Sequence, residues 1–369
     1  MPSDTKAPPP LIAHGSDHLP AVTVDSYNLE IKDNGGFLGD RANKRAFVDI
    51  LDELRKPLAK LKSDPFGDTP TEDLSKKTID AAMTSDEPDA VGLVQGAVEA
   101  FAQEFAYVIR NTLKTKEWKK TQRIVIGGGM RESRYGELCI ARAGVLLKGD
   151  EIDVQLAPIR NHPDDAGLIG AVHLAPSWIF GGHDSIVAVD IGGTNMRAGI
   201  VELNLKKADD FSKAAVWKRE LWRHADDKPK RDEAVAELVK MIGKLIGMAE
   251  KEGFKLAPFI GIGCPGRIDN DGSIERGAQN LPGNWESSRF NLPNCLTEEI
   301  ARIGDHETVV VMHNDAVVQG LSEVPFMRDV EHWGVLTIGT GLGNARFTNR
   351  ELDDDKAARQ SAKKASKKD

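Results

Sequence analysis

The chain has 369 residues, 40% of them hydrophobic, a formal net charge of −8, and three cysteines at Cys139, Cys264 and Cys295. This length allows two domains of ordinary size with filled cores, and the acidic balance argues against nucleic acid or an anionic membrane surface as partner. Unpaired cysteine spacing excludes a disulfide framework and a Cys-rich zinc site; with no apolar run near membrane length and no charged-then-apolar leader, a soluble cytoplasmic protein is expected.

In chain order, residues 1–20 are Pro-rich and read as an arm that orders only where it docks. The run AVTVDSYNLEI predicts a strand, KDNGGFLGD a loop, and ANKRAFVDILDELRKPLAKL a helix that Pro57 kinks or ends. Residues 63–70 carry turn chemistry, and 71–84 predict a short amphipathic helix. A long helix is expected over 89–113, where Val91, Leu93, Val94, Ala97, Val98, Phe101, Phe105 and Val108 form one apolar stripe for a core. RIVIGGGM reads as a buried strand entering the triplet Gly127, Gly128, Gly129, with a helix over 135–147 beyond it. VQLAPIRN predicts a further strand, and DDAGLIGAVHLA, 164–175, a helix with an acidic start.

The stretch IVAVDIGGTNMRAGIVEL, 186–203, is the organising element of the chain. Two β-rich runs flank Gly192, Gly193, Thr194 and Asn195, so a hairpin is expected whose open backbone N–H groups suit an anion such as phosphate. Asp190 ends the first run, where a carboxylate suits a hydrated Mg²⁺, an ion that keeps most of its waters. An ordinary glycine turn explains this stretch alone equally well. A second hairpin of the same kind follows at WGVLTIGTGLGNARF, 333–347, with its turn at Gly339, Thr340, Gly341 and Gly343. Between the two, VVVMHND is an apolar strand that delivers Asn314 and Asp315 to the start of a helix over 316–322, the position where open α/β sheets present ligand groups. A helix is also expected over 231–252. The strand PFIGIGCPG spells GxGxxG with Gly261, Gly263 and Gly266, but Pro265 and the turn-rich RIDNDGS replace the helix that a dinucleotide site requires. The Lys-rich run 351–369 reads as a disordered tail.

The stretches DIGGTNMRAGI, GIGCPGRID, NLPGNW, HNDA and GTGLG, in that order, resemble the ROK family of the actin, Hsp70 and hexokinase superfamily. The resemblance implies two ribonuclease H-like α/β domains around a central cleft, where ATP and a sugar meet. It implies Asp315 as general base, with Asn314, Asn284 and Gly266 among the sugar-binding residues. ATP and Mg²⁺ fall to Asp190, Gly192, Gly193, Thr194 and Asn195, to Thr340, Gly341 and Gly343, and to Gly127, Gly128 and Gly129. The family's partners are a small sugar and ATP, with no nucleic acid and no membrane; a homodimer is its usual assembly.

RIVIGGG and DDAGLIGAVHLA resemble the adenosine end of the family fold, which ordinarily comes last, yet here they precede DIGGT. The expectation is a circular permutation joined through 177–184, which surface termini permit, the alternative being chance similarity of a separate N-terminal domain. It divides the chain into an arm (1–20), a larger nucleotide-side domain (21–165 plus 331–350), a smaller domain (166–330) and a tail (351–369). Other family marks are changed. His18 stands where the histidine of the Glu-x-x-His motif would fall, with Gly15 in place of the glutamate and Asp17 as its substitute. Phe37 and Gly39 replace the last zinc cysteine and the sugar-reading glutamate, with Asp40 adjacent, so no zinc is expected. Two readings stand: an ATP-dependent hexose kinase, and a non-catalytic sugar- or nucleotide-binding regulator.

Overall fold

The computed structural model describes residues 12–33 and 35–350. The first eleven residues of the arm and the charged tail lie outside the described residues. The strands run β1 (Val22–Tyr27), β2 (Lys32–Asp33), β3 (Gly36–Phe37), β4 (Arg123–Gly127), β5 (Gln155–Pro158), β6 (Ser185–Ile191), β7 (Met196–Glu202) and β8 (Ala215–Trp222). They continue as β9 (Leu256–Cys264), β10 (Arg267–Ile268), β11 (Ile274–Arg276), β12 (Arg302–Ile303), β13 (His306–Glu307), β14 (Val309–Asn314), β15 (His332–Ile338) and β16 (Leu342–Asn349). The helices are α1 (Lys44–Lys60), α2 (Lys76–Met83), α3 (Pro88–Leu113), α4 (Arg134–Gly149), α5 (Pro163–Gly170), α6 (His224–Asp227), α7 (Arg231–Lys251), α8 (Leu292–Glu299) and α9 (Asp315–Leu321).

The described residues divide into two compact units, one of residues 12–23, 168–318 and 350, the other of 24–33, 35–167 and 319–349. In the first, a five-stranded sheet has the order β14-β9-β6-β7-β8. β6 pairs antiparallel with β7 and parallel with β9, and β9 pairs parallel with β14. Every residue of β6 is buried, as its unbroken apolar run demands of a central strand. One face packs Val187, Val189 and Ile200 against Leu238, Ile242 and Leu245 of α7, whose stripe repeats at helical spacing.

The other unit holds a sheet of order β1-β16-β15-β4-β5. β15 pairs antiparallel with β16 and parallel with β4, and β4 pairs parallel with β5. Phe101, Phe105 and Ile109 of α3 fill its core with Phe47 and Leu51 of α1. Local chemistry sets these helices: Pro88 opens α3 at its first turn, while the side chains of Asn43 and Ser133 cap α1 and α4 by accepting from Ala46 and Gly136. Pro57 neither ends nor removes the last turn of α1, which runs on to Lys60. At that position proline forfeits a single bond to the preceding turn, and Leu58 beside it packs on the core.

Each sheet is a hairpin extended on one side by a third strand and on the other by two parallel strands. In the first unit those positions are filled in chain order by β6, β7, β8, β9 and β14. In the second the hairpin is β15–β16, while the third, fourth and fifth positions belong to β1, β4 and β5 from the front of the chain.

Candidate active site

The turn between β6 and β7 is closed by the Gly192 N–H donating to the Asn195 carbonyl at 2.8 Å. Gly193 has no room for a side chain without shifting its neighbour, since an added Cβ would lie 3.0 Å from Asn280 Cβ. The buried His224 reaches the turn from α6, its Nε2 donating to the Gly192 carbonyl at 2.8 Å, and the Ala225 N–H donates to the Thr194 carbonyl at 3.2 Å. Asp190, 8% exposed, faces Arg197 across the hairpin register with Nη1 to Oδ2 at 3.2 Å.

Strand register brings the second carboxylate beside the first. Gly263 of β9 pairs with Asp190 on one side and with His313 on the other. Its missing side chain lets the start of α9 approach, for a Cβ there would be 3.5 Å from the Asp315 Cα and 3.3 Å from Val318 Cβ. Burial, and then the negative charge of Asp190, push the Asp315 carboxyl up to about 7. Cys264 beside them is fully buried, and burial and the two carboxylates drive its thiol well above the ordinary range. It is packing, not a nucleophile.

Asn314 is committed to structure. Its Oδ1 accepts from the N–H groups of Ala316 and Val317, capping α9, and its Nδ2 donates to the Gly266 carbonyl at 3.0 Å. Asp315 Oδ1 shares the Ala316 N–H at 2.9 Å. Gly266 has φ +105°, and a Cβ would lie 2.6 Å from the Arg276 carbonyl oxygen, so the position requires glycine. β9 passes from there into β10 and not into a helix, which removes the dinucleotide reading of its glycines.

Asn284 is exposed, with its Oδ1 accepting from the Glu286 N–H and its carbonyl from Arg231. Asn280, four residues earlier, is the residue that lies against the phosphate-type turn. His18 is exposed and its backbone bridges to Thr23. The segment before it is laid along β14: Gly15 N–H donates to the Met312 carbonyl, His14 Nδ1 accepts from the Met312 N–H, and His313 Nε2 donates to the Ser16 carbonyl. Gly15 has φ +52°, and a Cβ would meet the Ile268 carbonyl oxygen at 2.0 Å.

In the second unit, Gly128 has φ +88° and would put a Cβ 2.2 Å from the Ile338 carbonyl oxygen, while Gly127 would put one 2.5 Å from Gln319 Oε1. Main chain therefore holds position 128 to glycine, whereas the contact at Gly127 is the far end of a flexible side chain; Gly129 has only Lys76 Nζ nearby, at 3.5 Å. The β15–β16 turn comprises Gly339, Thr340 and Gly341, its first residue donating to the carbonyl of the third and accepting from the Lys44 N–H at α1. Gly343 is not in this turn: it lies within β16, paired with Thr337. Asp40 is exposed in a 3-10 turn, where its Oδ2 accepts from the Phe37 N–H. Among the described residues, no three His, Cys, Asp or Glu side chains gather as a metal cluster would need.

Arg197 was legible as the hairpin partner of Asp190 once Asp190 was placed; His224 carries no motif, and Asn280, although it opens NLPGNW, meets the turn only through tertiary packing.

The molecule is thus a mixed α/β protein whose first unit carries two coupled carboxylates beside a glycine turn. The ROK family model matches residues 186–354. Over 169 residues the chain is 28% identical to the glucokinase of Thermotoga maritima, covering 45% of this chain and 45% of that protein. Among solved structures, the Lmo2764 protein of Listeria monocytogenes, a candidate N-acetylmannosamine kinase, is 25% identical over 45% of this chain and 47% of its own, with a TM-score of 0.32. The ROK hexokinase of Thermus thermophilus is 22% identical over 43% and 45%, with a TM-score of 0.29. The match spans less than half the length of each relative. No helix among the described residues is long and apolar enough to cross a membrane.

Proposed function

We propose that the protein is an ATP-dependent sugar kinase and that Asp315 is its general base. The observation that carries this reading is the Asp190–Asp315 pair beside the Gly192–Asn195 turn, with Asp315 raised to about 7. A base of that strength is substantially ionised at neutral pH and still accepts a proton readily, the compromise that general-base catalysis favours. The Asp315 carboxylate takes the proton of a sugar hydroxyl as its oxygen forms a bond to the γ-phosphorus; the bond from that phosphorus to the bridging oxygen breaks, and ADP leaves with the electron pair. Asn314 holds Asp315 in place by capping α9 and tying it to Gly266, and Asn280, which lies against Gly193 of the turn, is the residue we assign to meeting the sugar.

Mg²⁺ fits Asp190, a largely buried carboxylate at a strand end beside the glycine turn. When bound, the ion neutralises charge on the phosphates. Thr340 and Gly341 are the part of the second turn open to a nucleotide, and Gly129 is the open member of the triplet. We read the chain as circularly permuted: the second sheet repeats the first with its third to fifth positions supplied from the front of the chain, and the family match begins after β4 and β5. The ends of this rearrangement adjoin, since the Arg350 N–H donates to the Ala21 carbonyl at 3.1 Å.

The test is ADP release with Mg²⁺ and ATP against hexoses and N-acetylhexosamines, with polyphosphate as a second donor, for the native protein and Asp315→Asn. Sugar-dependent turnover that the variant loses by about 10²- to 10⁴-fold is expected. Nucleotide binding with no turnover on any sugar would replace this reading with the non-catalytic regulator.

A further inference from the structure

Segment 222–228 forms a small brace built onto the outside of the Gly192–Asn195 turn. Its own shape is fixed by Trp222 Nε1 donating to Asp227 Oδ2 at 2.7 Å and by the Lys228 N–H donating to the His224 carbonyl at 2.9 Å, with Lys228 in the left-handed region. Two donors leave this brace for the turn. His224 Nε2 meets the Gly192 carbonyl and the Ala225 N–H meets the Thr194 carbonyl, so both ends of the turn are held by one rigid element. His224 is 2% exposed, yet its ring carries a polar contact that phenylalanine or leucine would leave unmade. A carbonyl oxygen only accepts, so Nε2 bears the hydrogen in this contact.

We propose that His224 is a positioning residue for phosphoryl transfer, fixing the orientation of the first glycine peptide of the phosphate turn. This rests on the kinase reading above. A glycine-rich turn has many backbone conformations of similar energy, and only those that aim its N–H groups together hold an anion. Anchoring the outward carbonyls selects that set before ligand arrives, which preserves transition-state geometry without adding a contact to the sugar. The effect therefore falls on kcat and on nucleotide binding, and leaves sugar affinity nearly unchanged.

The experiment compares the native protein with His224→Ala, His224→Gln and His224→Asn in initial rates with MgATP and the best sugar, and in calorimetric titration with MgADP. His224→Ala is expected to lose between about fivefold in kcat, the value of one hydrogen bond, and about 100-fold, the value of a turn displaced by an ångström. Its sugar KM should stay within about twofold. Glutamine reaches as far as Nε2 and should restore most of the loss; asparagine, one methylene shorter, should not. If the alanine variant does not fold, the glutamine and asparagine pair decides the matter alone. Equal impairment of Gln and Asn, or a kcat and MgADP affinity untouched in Ala, would overturn the assignment. If the native protein turns over no sugar, the kinase reading fails by itself, and weaker MgADP binding in Ala that is recovered in Gln still supports the brace, while unchanged binding rejects it.

Discussion

Replacing Asp315 by asparagine should raise stability while removing activity, and the pH dependence of that gain is the sharpest check on the site. An aspartate that titrates at 3.8 when unfolded and at about 7 when folded holds its proton in the native state across that interval. The folded protein then binds more protons than the unfolded chain, so stability falls as pH rises from about 4 to 7 and the penalty is complete above it. The interval corresponds to about 4 kcal/mol, or about 2 kcal/mol where solvent at the edge of the side chain weakens the effect. His313, two residues away and fully buried, acts with the opposite sign. Burial lowers it from 6.5 to about 4, so its contribution of about 3 kcal/mol is present above 6.5 and lost as pH falls toward 4. The native protein should therefore show a shallow profile between pH 4.5 and 8, because the two terms nearly cancel. In Asp315→Asn only His313 remains, and stability should climb with pH. Urea unfolding of both proteins at pH 4.5, 6 and 8 measures this. A gain from the substitution that is the same at all three pH values, or absent at pH 8, would refute the picture of a carboxyl held neutral by its surroundings.

Three further outcomes follow from contacts elsewhere. Gly15→Glu, the residue that the resemblance would place there, should destabilise by about 2–5 kcal/mol, since a left-handed backbone is combined with a Cβ 2.0 Å from the Ile268 carbonyl oxygen; thermal unfolding reads it. Arg55, 6% exposed, bonds Asp64, Thr71 and the carbonyls of Gly67 and Thr69, so Arg55→Ala should cost about 3–5 kcal/mol in urea unfolding by leaving the Asp64 carboxylate without its cation. Of the three thiols, only Cys295 is reachable, so titration of the folded protein with a thiol reagent should label one cysteine promptly and Cys139 and Cys264 only on unfolding.

The large elements were legible because their signals are local. The stripe of α3, the unbroken apolar run of β6 and the Gly/Thr turns of both hairpins each follow from spacing within one segment, and the structure has them within a residue or two. Pro57 does not end α1, because its cost depends on where in the helix it falls, and in the last turn that cost is one bond. β8 gave no readable pattern: it is an edge strand whose residues are mostly exposed or half-buried, so nothing enforces alternation. Asn314 shows why a residue's role is harder to read than its location. Its position at the end of β14 was evident, but whether its amide faces a ligand or caps a helix is decided by Gly266, 48 residues earlier, whose carbonyl takes the amide hydrogen.

Gly15 and Gly39, two of the positions that depart from the resembled pattern, sit in crowded surroundings. A glutamate that reads a sugar hydroxyl needs a backbone that projects its side chain into open space. At Gly15 the backbone instead lies flat along β14, donating to Met312 and turning into the left-handed region above Ile268. At Gly39 a Cβ would press to 3.2 Å from Leu342 Cβ beside the second turn. A side chain at Gly15 would meet main chain, whereas one at Gly39 would need Leu342 to give by a few tenths of an ångström. On the kinase reading proposed above, Asn280 against Gly193 is the side chain that borders the first turn. Asn280→Ala should accordingly raise the KM for sugar by about 5- to 100-fold, the range of one to two lost hydrogen bonds, while nucleotide affinity is preserved. An unchanged sugar KM would shift recognition away from this loop altogether.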